Sequence, residues 1–165
     1  MDFARILRHL MATPRSAGRA FPEDSLAAIE TAIRESELAH AGEIRFAVEP
    51  ALEIGALLKG QSARERALEV FSALRVWDTE QNNGVLIYLL LADRDVEIVA
   101  DRGIHARAGP DSWEAICRRM EAAFREGRMT EGAVEGIGEV GALLARHFPA
   151  GGPNANELPD RPVML

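Results

Sequence analysis

The sequence predicts an α/β fold. The form expected is a compact α/β/α sandwich, in which helices flank a small mixed sheet made of a parallel βαβ unit plus one antiparallel hairpin strand. Three observations predict it. "EIRFAVE" (43–49) alternates apolar and charged residues, the period of a strand with one buried face. "VLIYLLLA" (85–92) is apolar on both faces, as a central strand is. "DVEIVA" (95–100) alternates again, and only Asp93-Arg94 separate it from the preceding run, which fits a hairpin. A helical stretch lies between the first two strands, so they should run parallel with a right-handed crossover.

The 165 residues fit one domain with a real core. The formal charge of −7 argues against non-specific nucleic-acid binding, because a phosphate backbone needs a basic face. It suits divalent cations. A single cysteine, Cys117, excludes an intrachain disulfide and a cysteine-cluster metal site. Arg5, Arg8 and His9 interrupt the first residues, so these lack the continuous apolar region of a secretory signal. The run 85–92 is far shorter than the roughly 20 residues that span a bilayer. Together these features predict a cytoplasmic protein.

Residues 1–20 form a basic amphipathic N-terminal arm. Phe3, Ile6, Leu7, Leu10 and Met11 stand at helical spacing, with Arg5, Arg8 and Arg15 elsewhere. The pattern fits an arm docked on its own domain, and it also suits a membrane surface or a protein partner. Residues 21–149 make the α/β domain. A helix is expected from Pro22 to Glu37, with Leu26, Ile29 and Ile33 inward, and an irregular connector over 53–61. Ser62 and Glu65 form a capping box for a helix reaching about Trp77. Asp111 and Glu114 read as a second box, opening a helix with the stripe Trp113, Ile116, Cys117, Met120 and Phe124. Thr130 is expected to cap a last helix, whose Gly132, Gly136, Gly138 and Gly141 suit close backbone packing. Residues 150–165 read as an extended or mobile Pro/Gly/Asn-rich tail.

This topology brings polar residues to one edge of the sheet. Glu43 opens the first strand, Asp78, Glu80, Asn82 and Asn83 precede the second, and Asp101 closes the third. Crowded carboxylates raise one another's pKa unless something positive sits among them. Oxygen ligands favour a hard cation, Ca²⁺ or Mg²⁺. The candidate metal ligands are therefore Glu43, Asp78, Glu80, Asn83 and Asp101. Gly84 and Gly103 would let backbone approach, and Arg102 is a candidate phosphate clamp.

Other motifs fail on chemistry. "LLLADRDVE" has the D-x-D of aspartyl-phosphate enzymes, but Glu97 stands where Thr or Val belongs. Six positions after Cys117 comes Ala123, not the arginine of a cysteine phosphatase. There is no P-loop and no dinucleotide-binding glycine fingerprint.

"GEIRFAVE", "ARERALEVFSALRVWDTEQNNGVLIYLLLADRDVEIVADRGI", "DSWEAICRRMEAAFREGRMTEGAVEGI" and "HFPAGGPNANELPD" together resemble the TPM domain family. More closely, they resemble its bacterial branch without signal peptide or transmembrane helix. The resemblance implies an α/β/α sandwich. Members of the family have been linked to acid phosphatase activity, photosystem repair, membrane-protein assembly and calcium binding. The matching positions are Glu43, Asn83, Gly84, Asp101 and Gly103. The function expected first is divalent-cation binding. One alternative is a metal-dependent acid phosphatase of low activity on phosphomonoesters, with Asp101 holding metal or taking a proton. Another is a protein-interaction or membrane-surface adaptor acting through the arm.

Overall fold

The computed structural model describes residues 2–165, and all three expected strands form: β1 (Glu43–Glu49), β2 (Gly84–Leu90) and β3 (Asp95–Ala100). Strand β1 pairs parallel to β2 with Glu43 opposite Gly84, and β3 runs back antiparallel with Ala100 opposite Val85. A fourth strand, β4 (Val163–Met164), pairs parallel to β1, giving the order β3-β2-β1-β4. Around the sheet lie α1 (Phe3–Met11), α2 (Pro14–Ala20), α3 (Glu23–Glu37), α4 (Ile54–Leu58), α5 (Ala63–Ala73), α6 (Arg102–Ala108), α7 (Pro110–Arg125) and α8 (Met129–His147).

The side-chain alternation of the strands splits the core into two layers. Ile44, Phe46 and Val48 join Val85, Ile87 and Leu89 against α3, α7 and α8. Ala47, Leu86, Tyr88 and Val99 pack on the other face against α5, with Leu158 of the tail among them.

Several boundaries differ from expectation. The charged face of β1 is not solvated, since all seven of its residues are buried. The tail is pinned rather than mobile: Arg45 donates to the carbonyls of Pro159 and Arg161, and β4 follows. The connector 53–61 holds the short helix α4. Asp111 is not a cap. Helix α7 starts two residues earlier than an Asp111 cap implies, at Pro110 after Gly109 (φ 78°), and proline fits the first helical position. Thr130 is not a cap either. It lies inside α8, with its hydroxyl 2.7 Å from that of Ser25, tying α8 to α3.

The arm docks through its polar side. Asp93, in the β2–β3 turn, receives Arg5 at 2.9 Å and Arg8 at 3.4 Å. The Leu52 amide donates to Nδ1 of the buried His9. The ring proton therefore sits on Nε2, which lies 3.1 Å from Asp93. Burial raises the Asp93 carboxyl, but hydrogen bonds from Arg5 and His9 outweigh it and hold the group below its ordinary range.

Two glycines allow a sharp comparison. A Cβ on Gly84 would lie 2.0 Å from the Val76 carbonyl oxygen, a backbone obstacle. A Cβ on Gly138, on the exposed side of α8, would meet nothing within 4 Å. In chemical denaturation, Gly84→Ala should cost about 3 kcal/mol, the upper end of overpacking. Gly138→Ala should instead gain roughly 0.5–1 kcal/mol from helix propensity. Equal midpoints for the two variants would refute this packing.

Candidate cation site at the sheet edge

The end of the sheet where β1 and β2 begin gathers part of the expected set. Asp101 follows β3 and donates its main-chain N–H to the Gly84 carbonyl at 2.9 Å. Its side chain is the N-cap of α6, and Oδ1 accepts the Arg102 N–H at 2.7 Å. Oδ2 is buried and has no hydrogen-bond partner among the described residues. Asn83, just ahead of β2, is fully buried. Its Nδ2 donates to the Ala41 carbonyl at 2.9 Å, and its Oδ1 has no partner among the described residues. The first turn of α6 lies against the 81–82 backbone. The Ile104 N–H reaches the Asn82 carbonyl at 3.3 Å, and a Cβ on Gly103 would stand 2.5 Å from that oxygen and 2.8 Å from the Gln81 carbonyl. Asn83, Gly84, Asp101 and Gly103 thus meet, as their strand positions require.

Glu43 stands opposite Gly84, as Asp101 does, so it lies on the Asp101 face of the sheet with Arg45 and Glu49, while Asn83 alternates to the other face. The two carboxylate oxygens of Glu43 accept the N–H groups of Glu157 and Leu158, both at 3.2 Å. Asp78 is exposed and pairs with Arg75 at 2.7 Å. Glu80 is exposed, and its main-chain N–H donates to the Glu157 carboxylate at 2.9 Å. Arg102 is exposed at the start of α6. Among the described residues, no group of three or more His, Cys, Asp or Glu side chains is arranged to hold a metal ion. An ion at the Asn83–Asp101 edge must therefore combine one carboxylate with amide, main-chain and water oxygens.

Sequence reasoning missed the acidic group around Glu43. Glu37, in the last turn of α3, accepts the Ile44 N–H at 2.9 Å. Burial pushes its carboxyl up to about 8, and nearby Glu43 and Asp160 push the same way, against the Ile44 hydrogen bond. Burial also pushes Glu43 up to about 7, with Glu157 and Asp160 adding to it and the two tail amides opposing. Arg34 lies 3.7 Å from Asp160. A signal did exist, because an acid in the last turn of a helix faces the negative end of the dipole and needs another reason to be there.

A cleft of about 710 Å³ opens beyond the other end of β1, lined by Glu49, Glu53, Lys59 and Arg66 among others. Its innermost carboxylate is already satisfied. Glu49 takes Arg66 in a forked pair at 2.9 and 3.0 Å and the Tyr88 hydroxyl at 2.6 Å.

Strand order and sheet edge together define a small mixed-sheet α/β domain, with an Asn-Gly and an Asp-Arg-Gly meeting at one end. The profile of the TPM domain family matches residues 17–143, and the chain belongs to that family. Among solved structures, the chain is similar to the BA42 protein of the psychrophilic bacterium Bizionia argentinensis, determined by NMR. The two share 32% identity with a TM-score of 0.76, covering 86% of this chain and 93% of that one. No curated protein matches the chain. No helix among the described residues is long and apolar enough to cross a membrane.

The raised Glu37 and Glu43 carboxyls fix the sign of a pH effect. Both bind protons more tightly in the folded chain than at their ordinary value of 4.5. Their contribution to stability is therefore full below about pH 4.5 and is lost as pH rises toward 7 to 8. His40 works in the opposite sense. Burial lowers it from 6.5 to about 4, so its contribution is lost on acidification. Comparing variant with parent cancels His40. Relative to the parent, Glu37→Gln should grow more stable from pH 5 to pH 8 in urea melts. A constant difference across that range would show that Glu37 does not titrate there.

Proposed function

We propose that this TPM domain binds a divalent cation, Ca²⁺ or Mg²⁺, at the edge formed by Asn83 and Asp101. One observation carries the reading: two buried side-chain oxygens, Asn83 Oδ1 and Asp101 Oδ2, lack partners at adjoining positions of one sheet edge. A buried acceptor without a donor costs about 1–3 kcal/mol, and a hard cation is a natural partner for such oxygens. Calcium accepts carboxylate, amide and main-chain oxygens along with water in flexible geometry, so a mixed donor set suits it. Once bound, the ion would supply positive charge to this acidic edge. Asp101 would hold it while continuing to cap α6, and Asn83 would orient its amide through Ala41.

Glu43, Asp78 and Glu80 play no part in this reading. Nothing specific favours phosphatase chemistry. Arg107 donates to the His147 carbonyl at 2.7 Å and stacks on Phe148, so it is no free clamp. Burial pushes the Cys117 thiol up to about 12, which keeps it un-ionised near neutrality.

Calorimetric titration with CaCl₂ and MgCl₂ tests the reading. Ion at about 100 times its dissociation constant should stabilise the fold by roughly 2.7 kcal/mol. Asp101→Asn keeps a good helix cap but removes the charge, so it should weaken binding at least about tenfold while the fold persists. Glu43→Gln should leave affinity unchanged. Absence of heat and of any melting shift with both ions would refute the proposal. Loss of binding in Glu43→Gln alone would move the site to the acidic group around Glu43.

A further inference from the structure

Helix α1 is docked the wrong way round for an ordinary amphipathic helix. Its contacts with the domain come from Arg5, Arg8 and His9, which reach Asp93, and from the buried imidazole of His9, which accepts the Leu52 amide. The apolar side is left outside. Phe3 is 77% exposed, Leu7 59%, Leu10 56% and Met11 73%. These positions are spaced i, i+4, i+7 and i+8, so they form one stripe along the helix, opposite His9. Beside it, Ile6 and Leu58, the latter 56% exposed at the end of α4, line a groove with Asp2, Arg5 and Lys59.

Charge identifies what this face meets. The first twenty residues carry four arginines against the single acid Asp2, whereas the whole chain carries −7. Arg8 borders the apolar stripe with half its side chain exposed. Arg15 and Arg19 are exposed one turn apart on α2. Lys59, the only lysine of the chain, follows Leu58. An apolar stripe flanked by cations on an otherwise acidic molecule is the composition of a helix that lies in the plane of an anionic bilayer. A second copy of the chain would bring the same cations against each other around the stripe, which disfavours self-association there.

We propose that α1, with the end of α4, is a docking surface for an anionic lipid bilayer. Phe3, Leu7, Leu10 and Met11 enter the headgroup boundary, and Arg8, Arg15, Arg19 and Lys59 meet lipid phosphates. The proposal is independent of the cation site, and α1 itself lies outside residues 17–143.

Co-sedimentation of the full chain with phosphatidylglycerol–phosphatidylcholine vesicles, and with pure phosphatidylcholine vesicles, is the test. The parent should bind the anionic vesicles and not the neutral ones. Leu7→Ser with Leu10→Ser should abolish binding while far-UV dichroism and the melt stay unchanged, since both side chains already face solvent. Arg15→Gln with Arg19→Gln, which leaves the apolar stripe whole, should weaken binding about thirtyfold. No binding to anionic vesicles overturns the proposal, as does equal binding to neutral ones. A concentration-dependent dimer that the two serine substitutions dissociate would assign the face to a second copy and overturn it as well.

Discussion

Three charged side chains on the inside of an internal strand dictate much of this architecture. Glu43, Arg45 and Glu49 share one face of β1, and all three are buried. Buried charges demand partners, because the unpaired penalty is several kcal/mol per ion. The partners come from two directions. Helix α5 supplies Arg66 to Glu49, with Tyr88 closing the pair from the neighbouring strand. The segment after α8 supplies main-chain amides to Glu43 and main-chain carbonyls to Arg45. The course of residues 157–164 over the sheet follows from those needs more than from its own few apolar side chains. Leu158 joins the core there, and Val163 packs half-buried against it.

The opposite sheet face obeys an ordinary hydrophobic rule, and the edge between the faces is where polar groups remain unsettled. Asn83 and Asp101 each use one polar atom structurally, as a donor to Ala41 and as the cap of α6. Each retains a side-chain oxygen without a hydrogen-bond partner among the described residues. The glycines beside them are structural in their own right, because Gly84 and Gly103 let main-chain carbonyls approach where no side chain fits. A site of this kind rests on tightly packed backbone, so its geometry is held by the same contacts that hold β2 against β3.

Much of the fold was legible because side-chain periodicity reports which face is covered by other side chains. The alternation of 43–49 and 95–100 and the uniform 85–92 gave the strands and their direction. The amphipathic stripe of α7 gave its core face, with Trp113, Ile116, Met120 and Phe124 buried as expected. What remained hidden was covered by backbone instead. Nothing in "NANELPDRPV" shows that its amides and carbonyls will satisfy Glu43 and Arg45, so their face of β1 read as solvated. Capping signals misled where another residue did the work, as Gly109-Pro110 did for Asp111. The arm misled through orientation, since periodicity finds an apolar stripe without saying that Asp93 will claim the opposite side. For the candidate site, strand direction alone brought Asn83 and Asp101 to one edge. It did not show that Glu43, brought to the same end, would have its carboxylate taken up by the Glu157 and Leu158 amides.

The clasp between β1 and the tail spans a long stretch of chain. Arg45 and the Pro159 carbonyl that it meets are 114 positions apart. During synthesis, β1 leaves the ribosome long before the residues that will cover it, and pairings this distant in sequence form slowly. Through that interval Glu43 and Arg45 stand in water, where their charges are fully hydrated. The strand is thus hydrophilic on one side for as long as it is uncovered, and a nascent chain with such a strand resists sticking to its neighbours on the polysome. The charges that make the finished interior demanding keep the unfinished one soluble.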